Sequence, residues 1–152
     1  MPLLGYFVDA NLLILLVVGS VDPRIIAKHR RLDEFTADDY DFLLVVLNEV
    51  RHIFVTPNTL TEASNLLRQH GEPERSRLMD RLAYLIEESD EVVVASAEAA
   101  ANPHFGQLGL TDAALLESIG PQTPLLTVDH DLYVAALATG TDTAVNFLHL
   151  MG

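Results

Sequence analysis

Short apolar runs alternate along the chain with longer stretches of helical spacing. Residues 3–8 are apolar, with Tyr6, Phe7 and Val8 closing the run, and predict a buried strand. Asp9 and Asn11 can cap the helix that follows over 12–18, the longest apolar run, which Gly19-Ser20 would stop. Residues 20–36 are polar and basic and allow a further helix after Pro23. Thr36-Ala37-Asp38-Asp39 starts the next helix, with Phe42, Leu43, Val46 and Leu47 at apolar positions, and 53–55 form a second strand that Pro57 stops. Asn58 or Thr59 opens a helix to about 69, ended by Gly71, and another covers roughly 73–88. Strands at 92–94, 125–128 and 144–148 are separated by helices at 96–101, from Thr111 to near Gly120, and at 132–138. Short apolar strands alternating with helices predict an α/β fold, a parallel sheet covered on both faces. No repeat, low-complexity stretch or linker divides the chain, so 1–152 reads as one domain.

Four acids mark the boundaries of these runs. Asp9 ends the first strand and Asp129 the fourth, while Glu62 and Asp112 lie at helix starts. If the strands are parallel, such positions converge on one sheet edge, where ligands bind in this architecture. Two carboxylates about 5 Å apart repel by roughly 3 kcal/mol at an effective dielectric near 20. A group of three or four must protonate, spread apart or hold a cation. Each acid also has a plainer reading. Asp9 can cap the helix at Leu12, and Glu62 completes Thr59-x-x-Glu62, a capping-box spacing. Asp112 suits a helix first turn, and Asp129 with Asp131 can shape the turn before Leu132.

Composition narrows the chemistry. Cysteine is absent, which excludes disulfides, thiolate catalysis and sulfur-based zinc sites and fits a cytoplasmic protein. The apolar run at 12–18 is too short to span a bilayer, and Met1 to Asp9 carry no Lys or Arg of a signal peptide. The net charge is −13, and all nine cations lie at or before Arg81, leaving ten acids and no Lys or Arg from Leu82 onward. That half suits a basic partner and grips phosphate only through a metal, backbone N–H groups or protonated histidine.

In Val8-Asp9-Ala10-Asn11-Leu12-Leu13, Thr61-Glu62, Leu110-Thr111-Asp112-Ala113-Ala114-Leu115 and Leu126-Thr127-Val128-Asp129-His130-Asp131-Leu132, the chain resembles the PIN-domain ribonucleases. It is most similar to the VapC-type toxins of bacterial and archaeal toxin–antitoxin pairs, and the four stretches occur in that family's order across most of the chain. The resemblance implies a three-layer fold with the first strand central. It implies that Asp9, Glu62, Asp112 and Asp129 form an acidic site for Mg²⁺ or Mn²⁺, with Asn11 and Thr127 supporting it by hydrogen bonds and Asp131 as a supplementary acid. It further implies an endoribonuclease, a homodimer, and an antitoxin that inserts a basic side chain over the site. The interval between Asp9 and Glu62 departs from compact VapC toxins by extra residues near 19–41.

Arg24, Lys28, Arg30 and Arg31 gather four of the nine cations within eight residues. A solvated helix face is the plainer reading and an RNA phosphate-binding patch the alternative. Arg68, Arg75, Arg77 and Arg81 form a looser group with the same ambiguity. Competing functions are a degenerate PIN domain acting as a binding module, an acid-cluster phosphatase or receiver-like domain, and a flap-type DNA nuclease. The second wants a late Lys that this chain lacks after Arg81, and the third a long basic arch.

Overall fold

A computed structural model describes residues 3–151. Its centre is a sheet of β1 (Gly5–Val8), β2 (His52–Val55), β3 (Asp90–Glu91), β4 (Leu125–Thr127) and β5 (Ala144–Asn146), ordered β3-β2-β1-β4-β5 with every neighbouring pair parallel. The helices are α1 (Ala10–Val21), α2 (Ala37–Asn48), α3 (Pro57–Leu67), α4 (Glu74–Glu88), α5 (Ser96–Ala100), α6 (Phe105–Leu108), α7 (Leu110–Ser118), α8 (His130–Thr139) and α9 (Phe147–Leu150).

Alternation along β1 builds the three layers. Tyr6 and Val8 join the larger core, formed with α1, α2, α3 and α4, while Phe7 points the other way onto Leu115 and Leu116 of α7 and Leu132 of α8. β4 repeats the pattern, Leu126 entering the first core and Leu125 the second. α1 is the most deeply placed helix. Leu12, Leu13, Ile14 and Leu15 are all fully buried, each stabilising the fold by roughly 1.5–3 kcal/mol relative to exposure. Successive connections move from β1 to β2 and β3 on one side, then cross to β4 and β5 on the other. The reversal lies between β1 and β4, and sheets of this kind bind ligands beyond the strand ends at such a switch. Among the described residues, no helix is long and apolar enough to cross a membrane.

Several elements depart from the sequence pattern for identifiable reasons. Gly19 does not stop α1, which runs on to Val21. The glycine is a notch for the Tyr40 ring, which a Cβ at this position would strike. Residues after Pro23 form two 3₁₀ turns, Pro23–Lys28 and Arg30–Leu32, instead of an α-helix. The third strand sits two residues earlier than the Val92-Val93-Val94 run, because Phe54 and Val55 of β2 pair with Asp90 and Glu91. Val92 still donates to the Val55 carbonyl at 2.8 Å, but Thr56 and Pro57 turn β2 into α3 and the ladder has no further partner. The last strand is likewise short, since Asn146 accepts from the Leu148 N–H and starts α9.

Candidate active site

At the switch between β1 and β4 the carboxyl edge of the sheet opens into a cavity of about 120 Å³. Asp9, Glu62, Asp112 and Asp129 all line it, together with Asn11, Arg31 and Thr111. The four acids arrive on separate elements. Asp9 follows β1, Glu62 lies within α3, Asp112 is in the first turn of α7, and Asp129 caps α8.

Asp9 is buried and fully engaged. One carboxylate oxygen accepts the Leu12 N–H at 3.0 Å, capping α1, while the other accepts the Val128 N–H at 3.1 Å and the Thr127 hydroxyl. Thr127 Oγ1 in turn accepts the Asp129 N–H at 3.0 Å, and Asp129 Oδ1 accepts the Leu132 N–H at 3.0 Å. A hydroxyl that donates once and accepts once thus ties together the acids of adjacent strands. The capping roles of Asp9 and Asp129 are therefore real, and they fix both carboxylates at the cavity.

Glu62 differs. α3 begins at Pro57 with Thr56 as its cap, accepting the Thr59 N–H at 3.1 Å, and the Thr56 hydroxyl donates to that of Thr59 at 3.0 Å. The capping box from Thr59 does not form, so Glu62 lies inside the helix and reaches the cavity. Asp112 follows Gly109, whose φ of 88° suits glycine and which supplies no side-chain cap to α7.

The electrostatics follow from this crowding. Burial pushes the Asp112 carboxyl up to about 7, with repulsion from Asp129, Glu62 and Asp9 adding to it. Asp9 is also raised, by burial first, against the opposing hydrogen bonds from Thr127, Leu12 and Val128. Among the described residues, no three acids or histidines stand close enough to hold one ion as placed. The donor chemistry nevertheless suits a hard divalent cation, being oxygen-only and rich in carboxylates. Asn11 lines the same cavity, and its Oδ1 is buried without a hydrogen-bond partner.

The remaining sequence candidates divide. Thr127 supports Asp9 by a hydrogen bond as expected, whereas Asn11 lines the cavity with its Oδ1 buried and unpartnered. Asp131 does not line the acidic cavity; it faces a neighbouring one with His104 and His130. Arg24 pairs with Asp22 at 2.9 Å and Lys28 approaches Glu74 at 3.7 Å. Arg30 is exposed, and only Arg31 of this cluster lines the acidic cavity. That distinction depends on the 3₁₀ turns and has no signal in the sequence. Thr111, beside Asp112, also lines the cavity and was not singled out by pattern.

The fold and cavity define a class by geometry: a three-layer α/β protein with four carboxylates at its topological switch point. The chain matches no protein-family model and no curated protein.

Proposed function

We propose that this protein is a metal-dependent endoribonuclease of the PIN-domain kind, the toxin of a toxin–antitoxin pair acting in the cytoplasm. The observation that carries the reading is the meeting of Asp9, Glu62, Asp112 and Asp129, from four elements, in one small cavity at the switch point. An acid set of this kind, with one carboxyl raised to about 7 by burial and by repulsion from its neighbours, suits a cation.

Asp9, Glu62, Asp112 and Asp129 would hold Mg²⁺ or Mn²⁺, which when bound supplies activation of water and neutralisation of charge on a phosphodiester. Hydrolysis forms a bond from water oxygen to phosphorus, breaks the bond from phosphorus to the 3′ oxygen, and passes a water proton to that leaving oxygen. The products are a 5′-phosphate and a 3′-hydroxyl, with no role for the RNA 2′-OH. The chain's own part is positioning. Thr127 and the Leu12 and Val128 amides hold both oxygens of Asp9, and the Leu132 amide holds Asp129. Fixed carboxylates of this sort need little rearrangement on binding. The acidic second half of the chain suits an antitoxin segment carrying a basic side chain, and a homodimer is the expected assembly.

One observation favours a second reading, a non-catalytic binding module. No three acids are drawn together as a ligand set among the described residues. Incubating a cellular RNA pool with purified protein in Mg²⁺, Mn²⁺ or EDTA, beside Asp112→Asn, separates the two. Metal-dependent cuts lost in the variant support the nuclease. Equal cutting by both proteins, or none by either, overturns it.

A further inference from the structure

The basic insertion between α1 and α2 is not a uniform surface. Ile25, Ile26 and Leu32 are buried in the main core and pin both 3₁₀ turns against it. His29, between the turns, is buried as well, and its Nδ1 accepts the Arg31 N–H at 3.2 Å. Because Nδ1 accepts, Nε2 carries the proton, and that N–H is buried without a partner. An unpaired buried donor is costly, and the ring packing around it offsets that cost. It stacks on His70 with the rings parallel to within 1° and 5.4 Å apart, and His70 Nε2 lies 2.7 Å from Glu74. Arg31 therefore lies between the buried side chains of His29 and Leu32, and its backbone N–H is anchored on the His29 ring.

The four cations of this insertion are engaged differently. Arg24 is neutralised by Asp22, and Lys28 faces Glu74. Arg31 forms no ion pair among the described residues, although it lines a cavity shared by four carboxylates. A guanidinium serving only to neutralise those acids would close to within ion-pair distance of one. Arg31 instead stays exposed at the cavity with its donors uncommitted.

We propose that Arg31 is a substrate-positioning residue, its guanidinium receiving the RNA phosphate that enters the carboxylate cavity. This rests on the nuclease reading and extends it to the substrate. Planar paired donors match two phosphate oxygens, a match that lysine lacks. In a chain of net charge −13, a fixed cation at the cavity also offsets the repulsion an entering phosphodiester meets. His29 anchors the backbone from which that side chain extends.

The test uses the full chain and a fluorescein-labelled single-stranded RNA followed by anisotropy. It is run in EDTA and, in the cold with RNA integrity checked on gels, in Mn²⁺. Free Mn²⁺ is counted separately by electron paramagnetic resonance. Arg31→Gln should weaken RNA binding about tenfold and lower the salt slope by about 0.7, one phosphate contact. Its Mn²⁺ affinity should stay within about threefold of wild type, and Arg31→Lys should recover only part of the RNA affinity. Arg31→Gln binding RNA as wild type does, or losing no more than Arg30→Gln, overturns the assignment. Mn²⁺ affinity rising about tenfold with RNA binding unchanged would make Arg31 a plug for the empty site and also overturns it. If wild type binds neither Mn²⁺ nor RNA, the nuclease reading itself falls and takes this one with it. A wild type that binds both leaves the variants to judge Arg31 alone.

Discussion

The two ends of the sheet carry cavities of opposite character. At the amino edge, Leu3, Leu4, Pro121, Pro124 and Val145 surround a space of about 880 Å³, with Asp142 its one carboxylate. At the carboxyl edge, about 120 Å³ is enclosed by four carboxylates and an arginine. The large cavity lies at an edge where the backbone is closely packed: Gly5 brings β1 close to β2, and the Gly120–Thr123 turn passes beside Leu4. The small one concentrates charge against the cost of burial and repulsion, and it does so where the strand order reverses. Size marks where the chain has not filled space. Unfavourable charge held in place is the feature on which the proposed function rests.

The contrast is broken most directly by activity. Asp112→Asn should reduce RNA cleavage by about a hundredfold or more, while Asp142→Asn at the amino edge should leave it within about twofold. Equal losses on gel assays with matched, folded proteins would erase the distinction between the two ends. The next effect is on stability. A Cβ at Gly5 would strike the His52 carbonyl, so Gly5→Ala should cost about 3 kcal/mol in urea unfolding. The native Gly5→Ala population should still bind Mn²⁺ as wild type does. Unchanged stability would mean that the amino end tolerates rearrangement that the packing does not suggest.

A smaller effect is a pH dependence. The Asp112 carboxyl stands at about 7 in the fold against an ordinary 3.8, so the folded state keeps a proton that the unfolded chain releases. Stability from that proton is complete below about pH 4 and is lost as pH rises through about 7. His29 acts in the opposite sense, since burial lowers its pKa and stability falls as pH drops below about 6.5. Asp112→Asn removes the first effect and keeps the second. Calorimetry in EDTA should therefore show wild type and variant converging only below about pH 4. Wild type should fall behind by a few degrees of Tm near about pH 8. Parallel curves would show that burial and the neighbouring acids do not hold a proton on Asp112. The smallest effect belongs to Arg24→Gln. It should leave the urea midpoint unchanged, because a solvent-exposed ion pair contributes little, and should change RNA affinity by less than about twofold, because Asp22 already engages that guanidinium. A loss as large as that of Arg31→Gln would restore the basic cluster as one diffuse surface.

Much of this geometry was legible in the residues because a parallel sheet makes position along the chain equivalent to position in space. Asp9 and Asp129 end strands, so once β1 and β4 are neighbours the two acids must meet. Asp112 came with its helix start. Glu62 does not complete the capping box that its spacing from Thr59 allowed, because α3 is capped by Thr56, which accepts the Thr59 N–H. What escaped the sequence depended on contacts distant along the chain. Gly19 reads as a helix stop until Tyr40 is seen filling the notch. Val93 reads as a strand centre, yet it is 73% exposed because β2 has already turned away. Arg31 is indistinguishable from Arg30 in sequence. Only the bond from its amide to His29 and the burial of Leu32 set it at the cavity.

The double duty of Asp9 shapes how such a protein can drift. Its carboxylate closes the first turn of the most deeply buried helix and lashes two strands through Thr127 and Val128. A lineage that no longer needs the chemistry could shed Asp112 or Glu62 with little harm and even some relief from repulsion. Losing Asp9 would loosen the whole body of the molecule. On the proposed nuclease reading, descendants that have gone silent should therefore still carry this first acid, so its presence in a related sequence testifies to folding, and the survival of Asp112 is the better witness to the proposed activity.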